Sequence, residues 1–393
     1  MSSPVPLMNN YGERSTTVIR GAGTRLYDST GKEYLDALAG IAVCGLGHSH
    51  PAVTKAIHEQ ASTLLHCSNL FNIVPQEALA KKLCDISGLE RAFFSNSGTE
   101  ANEAAIKIAK RFGTSKGILC PEIITFDGSF HGRTLGAVAA TANAKIKAGF
   151  GPTVCGFNHL PYGDIAKVKQ ALSSATVAVM VEPIQGEGGI QVPHTSFLKD
   201  LRQLCDEHSL LLILDEIQTG NGRTGTYFHF QQHNILPDIL TTAKGLGNGL
   251  PIGATLARGP AAEVLVPGSH GTTFGGNPFC CHVANVVVDE TLKIMESGAK
   301  IGDMIREHLE ERLVIMDAVR EVRGSGMMIG VELYVPCQEV VAIAKEHGII
   351  LNVTAEKVIR LLPPLIMSTA EAELLVDKLA AIVLEFAKSH EAA

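Results

Sequence analysis

Nowhere does the chain carry a run approaching the 18 or so apolar residues of a membrane span, so no transmembrane helix is expected. Its opening, MSSPVPLMNNYGERS, lacks the basic start and apolar core of an export signal, which points to the cytoplasm. There is no Lys/Arg run, the formal charge is -7 and the pI is near 6.1, so no surface is built to neutralise phosphates. Nucleic acid and anionic membranes are thereby excluded as partners, which leaves small molecules. Nine cysteines spread from Cys44 to Cys337 show neither C-x-x-C spacing nor a disulfide framework, as a reducing compartment allows. Repeats, low-complexity tracts and Pro/Ser/Gly linkers are also missing, so the terminal segments are expected to pack against the rest.

What is present is a chain of 393 residues, enough for a large core and more than one domain. Short apolar runs alternate with helical patterns, which predicts βαβ units around a mainly parallel sheet and hence an α/β fold. The expected strands are 91–94, 123–126, 177–181, 210–214, 239–240 and 252–257. The first five open into the loops SNSGTE, DGSFHGRT, EPIQGEGG, DEIQTGNGRTG and TTAKGLGNG. Those five ends are expected on one rim, where open α/β sheets bind ligands. Near the N-terminus, GAGTRLYDSTGKEYLD reads as a hairpin, while the last hundred residues mix amphipathic helix (IGDMIREHLEERL) with strand (MMIGVELY, VIRLLPPLI).

Three of these loops carry chemistry. LLILDEIQTG, Leu211 to Gly220, runs a buried strand into two acids, Asp215 and Glu216, which either cap the next element or face a ligand. In SNSGTEANEAAIKIAKRF, Ser97, Gly98 and Thr99 precede an Ala-rich helix whose free N–H groups suit a phosphate. Ser97-x-x-Glu100 also matches an ordinary capping box. Lys244 stands at a strand end before GLGNG, where desolvation favours a neutral amine that condenses with carbonyls. A phosphate cradle, an acid at a buried strand end and such a lysine are together the three anchors of a pyridoxal phosphate site. Asp215 is then buried because its partner is a buried pyridinium.

With these residues in view, the chain resembles the class III, fold-type I pyridoxal phosphate aminotransferases over essentially its whole length. The motifs are YLDALAGIAVCGLGHSHP, NSGTEANEAAIK, FHGRT, VEPIQGEGG, LLILDEIQTGNGRTG, TTAKGLGNGLPIGA, HGTTFGGNP and RLLPPL, in the family's order. The resemblance implies a large domain with a mainly parallel sheet flanked by helices, plus a smaller α+β domain made from the termini. It divides the chain into 1–50, 51–278 and 279–393. It implies that Lys244 holds the aldehyde of pyridoxal 5'-phosphate, Asp215 the pyridine nitrogen and Gln218 the ring hydroxyl, with Phe130 stacked on the ring. Ser97, Gly98 and Thr99 are then the phosphate site, completed across a homodimer interface by Thr273, while Thr272 lines the substrate site. Arg133 and Arg360 are implied to bind substrate carboxylates, with Glu187 as a gate that neutralises Arg360 when no carboxylate is bound. The implied reaction is transamination of N2-acetylornithine with 2-oxoglutarate, giving N-acetylglutamate 5-semialdehyde and glutamate, in arginine biosynthesis. Ile41 occupies the place where ornithine-specific members carry tyrosine, and His131 follows Phe130 as in the acetylornithine group.

Other readings compete. A related ω-aminotransferase would use succinylornithine, succinyldiaminopimelate or 4-aminobutyrate, and a ligand-sensing protein on the same fold would not catalyse at all. Intact Lys244, Asp215 and Arg360 speak against the last. His48 and His50 form H-x-H, but no third ligand at sensible spacing makes them a metal pair, so no metal is expected. GAG at Gly21 to Gly23 lacks the following helix of a dinucleotide fingerprint and reads as a turn. Cys280 and Cys281 open a helix and read as small packing residues.

Overall fold

The computed structural model describes residues 6–12, 14–313 and 315–391. Three antiparallel strands come first: β1 (Val18–Ala22), β2 (Arg25–Asp28) and β3 (Glu33–Asp36). Gly23, at φ +56°, makes the turn between β1 and β2, as GAG predicts.

Seven strands then build the central sheet: β4 (Arg91–Ser95), β5 (Glu122–Phe126), β6 (Phe157–Leu160), β7 (Thr176–Val181), β8 (Leu211–Asp215), β9 (Ile239–Thr242) and β10 (Gly253–Ala257). Their order is β4-β10-β9-β8-β7-β5-β6. Only β10 runs antiparallel to its neighbours. The ends of β4, β5, β7, β8 and β9 therefore share one rim, as expected, and β10 starts from it. Alternate side chains of β8 face opposite cores. Leu212 and Leu214 join Phe197 and Leu201 on one side, and Leu211 and Ile213 join Ile106 and Phe112 on the other. Burial on both faces is why these strands read as unbroken apolar runs. β6 is not among the expected strands, because FNHL is an edge strand with all four residues half-buried and leaves no such run.

The C-terminal part adds β11 (Val319–Ser325), β12 (Met328–Leu333), β13 (Ile349–Ile350), β14 (Asn352–Thr354) and β15 (Val358–Leu361). Four of them form the sheet β11-β12-β15-β14, while β13 pairs in parallel with β3, so both ends of the chain share a sheet. The helix Pro278–Leu313, about 54 Å long at 1.5 Å per residue, links the cores. Its start gives Cys280, Cys281 and Val288 to the central-sheet core, and its end gives Ile305, Leu309 and Leu313 to a second core with Leu35, Leu361 and Phe386. Cys281 is fully buried, in keeping with a packing role. The segment IGDMIREHLEERL is the last third of this one helix.

His48 and His50 have separate duties. His50 is the N-cap residue of the helix Pro51–Ala61, whereas His48 Nε2 lies 2.7 Å from Oδ2 of fully buried Asp36. The hydrogen bond to Asp36, with a smaller contribution from Cys44, pushes the His48 imidazole up to about 9. Unfolded, it would titrate near about 6.5. The pair's contribution to stability is thus complete below about pH 6.5 and is lost as pH rises through about 9. Between about pH 7 and 10 the melting temperature should fall more steeply for the native chain than for His48→Gln. Parallel slopes in a melting series over that range would rule the pair out as a source of the pH dependence.

Candidate active site

β8 ends in Asp215, which is 3% exposed. Asn102 Nδ2 donates to its Oδ2 at 2.8 Å, His131 Nδ1 lies 2.8 Å from the same oxygen, and the Ile217 N–H donates to Oδ1 at 3.1 Å. Burial works against charge on His131, but the bond to Asp215 outweighs it and raises the imidazole's pKa. Glu216, the next residue, has a different role. It accepts the N–H groups of His229 at 2.7 Å and Phe230 at 2.8 Å and the hydroxyl of Thr219 at 2.9 Å, so it ties down the chain that follows. Complete burial pushes its carboxyl up to about 7. Of the two acids in LLILDEIQTG, one faces the rim cavity and the other caps, so both sequence readings apply, each to a different residue.

Lys244 follows β9 and opens the short 3-10 turn Lys244–Leu246 at φ +45°. The half-buried side chain faces the cavity, and its desolvation there lowers the amine to about 8 against the opposing pull of Glu187. At the end of β4, Ser97 is extended and its Oγ accepts the Glu100 N–H at 3.3 Å, which caps the helix Gly98–Ser115. Gly98 and Thr99 open that helix, where N–H groups have no intrahelical partner. The cap and the anion site therefore coexist. Thr99 Oγ1 accepts from the N–H groups of Arg133 at 3.2 Å and Thr134 at 3.3 Å, which fastens FHGRT to the helix start. Gly132, just before Arg133 and at φ +133°, admits no side chain, since a Cβ would lie 2.2 Å from Thr99 Oγ1.

A cavity of about 430 Å³ brings together Ser97, Gly98, Thr99, Phe130, Arg133, Asp215, Gln218 and Lys244, with Val43, Ile217, Leu250 and Ile252 as apolar wall. Gln218 links it to Arg360, which is 1% exposed: Arg360 Nη1 lies 3.4 Å from Gln218 Oε1 and 2.5 Å from Glu187 Oε1. Arg360 Nε also donates to Asn352 Oδ1 at 3.1 Å. Five of the expected residues do not line this cavity, Arg360 and Glu187 behind Gln218 among them. Thr272 lines a separate pocket with Asn69, Gln76 and His270, and Thr273 is exposed. Ile41 packs half-buried beside Ile184 and Ile190.

The sequence reading misses Glu182, Asn102 and Val43, and it names His131 without its bond to Asp215. Glu182 directly follows β7 much as Asp215 ends β8, so the strand-end logic that found one acid also reaches the other. Its carboxylate accepts the N–H groups of Phe130 at 3.0 Å and Gly186 at 3.3 Å, joining two rim loops, and burial pushes it up to about 7. Val43 follows a turn, Ala39–Ala42, whose four residues have φ of +49°, +65°, +68° and +61°. Each L-residue in that region costs roughly 1–2 kcal/mol. No local pattern announces such a left-handed turn.

The donor set can be tested against pyridoxal 5'-phosphate. A helix N-terminus suits its phosphate, a buried carboxylate its pyridinium nitrogen, a desolvated amine its aldehyde, and an apolar wall with Phe130 its ring. The residues fit. The model of the family "Aminotransferase class-III" matches residues 8–383. Among curated relatives, the acetylornithine aminotransferase of Nitrosomonas europaea is 49% identical over 387 residues, 98% of each chain. That of Aquifex aeolicus is 46% identical, covering 92% of this chain and 95% of its own. Among solved structures, the ornithine aminotransferase of Toxoplasma gondii superposes with a TM-score of 0.94 at 32% identity, covering 98% of this chain and 94% of its own. The N-acetylornithine aminotransferase of Stenotrophomonas maltophilia gives 0.85 at 36%, covering 97% and 99%. The geometry of the rim and near-complete similarity to these proteins lead to one conclusion: this chain belongs to the class-III aminotransferase family and is a pyridoxal 5'-phosphate-dependent enzyme.

Proposed function

We propose that this enzyme transfers the terminal amino group of N2-acetylornithine to 2-oxoglutarate, giving N-acetylglutamate 5-semialdehyde and glutamate, in the cytoplasm and as a step of arginine biosynthesis. The observation that carries the reading is the buried Arg360–Glu187 pair beside the Lys244 cavity, a cation whose counter-ion is half-exposed and free to leave. Such an arrangement serves a site that admits a carboxylate in one half-reaction and none in the other. The names of the full-length relatives agree with it.

In this reading residues 51–278 hold the cofactor, while 1–50 and 279–393 form a smaller unit beside it. The enzyme works as a homodimer in which Thr273 of the partner subunit completes the phosphate site at Ser97, Gly98 and Thr99. When bound, pyridoxal phosphate supplies an electron sink for the carbon that loses its proton. Asp215 keeps the pyridine nitrogen protonated, Gln218 meets the ring hydroxyl and Phe130 packs on the ring face. Lys244 would hold the cofactor's aldehyde, and its Nζ, when free, would be the group that accepts and returns a proton at the reacting carbon. Its pKa near 8 leaves a useful fraction of neutral amine at neutral pH. Arg133 at the mouth binds the distal carboxylate of the keto acid and the carboxylate of acetylornithine, and Arg360 binds the α-carboxylate of glutamate. Thr272, beside Thr273, reaches the substrate side across the dimer interface, and Ile41 backs the donor side from behind the cavity wall.

Ile41 offers no hydrogen bond to a free α-ammonium, so the acylated amine should be preferred, by about tenfold or more in kcat/KM over ornithine. A panel of acetylornithine, succinylornithine, ornithine and 4-aminobutyrate with 2-oxoglutarate tests this. Ornithine as the best donor would overturn the substrate assignment. The Arg360–Glu187 pair makes a second prediction. Arg360→Ala should harm the glutamate half-reaction more than the acetylornithine one, and Glu187→Gln should tilt the balance the opposite way. Equal losses in both halves for both variants, measured by single-turnover absorbance changes, would make the pair a plain structural salt bridge.

A further inference from the structure

Beside Lys244 itself, the left-handed turn Ala39–Ala42 is a second strained element next to the cavity wall, and its surroundings show how it is held. Asp36 Oδ1 accepts the N–H groups of Leu38 at 2.9 Å and Ala39 at 2.8 Å, on the approach to the turn. Its other oxygen is fixed by His48 at 2.7 Å, so a single fully buried carboxylate is gripped at both ends. Within the turn, Val43 and Cys44 donate to the Ala39 carbonyl at 2.9 and 2.8 Å. On its far side the turn packs against the 3-10 turn Lys244–Leu246. The Ala42 carbonyl lies 3.6 Å from where a Cβ on Gly245 would be, so little play exists between the two segments. Asn248 completes the join, accepting the Leu46 N–H at 2.9 Å and donating to the Gly47 carbonyl at 3.2 Å. The turn thus delivers Val43 to the cavity wall and presses on the backbone of Lys244, itself at φ +45°.

We propose that Asp36 and His48 are positioning residues: through the left-handed turn they hold Val43 and Ile41 against the Lys244 segment and so set the fit of the amino donor. Neither touches the cavity. Strain in Ala39, Ile41 and Ala42 around Gly40 persists only where the surroundings over-determine it, and the Asp36 carboxylate supplies that constraint. Released from it, the turn relaxes toward ordinary φ values and Val43 leaves the wall. The inference rests on the proposed reading of Ile41 as a donor-side residue, with nearby Val43 on the cavity wall.

The test uses Asp36→Ala, Asp36→Asn and His48→Ala in the full chain. Asp36→Ala removes the acceptor for both N–H groups, whereas Asp36→Asn retains an oxygen for them and serves as the conservative rescue. In the donor half-reaction, Asp36→Ala should raise the half-saturating acetylornithine concentration about tenfold, with the limiting rate changed less than about threefold. Asp36→Asn should restore most of that loss, and His48→Ala should fall between. The half-saturating 2-oxoglutarate concentration should stay within about twofold, since Arg133 and Arg360 lie outside the turn. Hydrogen exchange on cofactor-free protein is the independent readout: the amides of 38 to 44 should exchange faster in Asp36→Ala and His48→Ala, while those of β8 and β9 do not. Should Asp36→Ala not fold, His48→Ala still decides. Unchanged exchange in 38 to 44, or an equal rise in both half-saturating concentrations, overturns the proposal. Faster exchange in an enzyme that ignores acetylornithine altogether would instead discard the substrate assignment and leave the clamp standing.

Discussion

Replacing Lys244 by alanine should lower transamination by at least about 10⁴-fold, while pyridoxal phosphate still binds without a covalent link. The size of the effect follows from two duties falling on one atom. Nζ holds the cofactor's aldehyde, and it is also the base for proton transfer; the cavity lining contains no second lysine to substitute for it. The fold should survive, because alanine meets the same left-handed backbone requirement at φ +45° that lysine already meets. Borohydride treatment of the native enzyme followed by peptide mapping gives the direct check. Label on Lys244 is expected, and label on another lysine would remove it from the centre of the site. The rate at which the cofactor-free protein takes up pyridoxal phosphate should climb as pH rises toward about 8, since burial has lowered the amine to that value and only the neutral form attacks a carbonyl.

Asp215→Asn should slow the chemical step by about 10²–10³-fold with little change in stability. An amide preserves the shape and its one oxygen can still accept from Asn102 or from the Ile217 N–H, a loss of about 1 kcal/mol for the other, but it cannot keep the pyridine nitrogen charged. His131 Nδ1, now facing an amide, loses the partner that raised its pKa. Stopped-flow half-reactions decide the matter, and near-native rates would sink the role. The adjacent acid supplies the control. Glu216→Ala should cost on the order of 3 kcal/mol in urea unfolding, because it strands the buried N–H groups of His229 and Phe230. Two neighbouring carboxylates thus separate by readout, one in rate and one in stability.

The amino-acid sequence makes much of this legible. The strands of the central sheet announce themselves because burial on both faces demands apolar runs, and β6 escapes because all four of its residues are only half-buried. Lys244, Asp215 and the Ser97–Thr99 helix start sit at strand ends, where local turn and cap chemistry marks them. Local grammar does not reach the pairing of Arg360 with Glu187, 173 residues apart, which came from family resemblance alone. Nor does it assign the duties of Asp215 and Glu216, which look alike in LLILDEIQTG and differ only in what packs around them.

The sheet, the rim and the three anchors are written in the chain itself, since each depends on neighbours within a few residues and on which faces are buried. The remaining features exist only in three dimensions. Tertiary packing placed Glu182 between two loops, set His131 and Asn102 against Asp215, and held a left-handed turn against Lys244 through an Asp36–His48 pair. Those features rest on contacts between distant segments. Their stability comes from satisfying buried polar groups across the fold, a constraint that leaves no period in the chain.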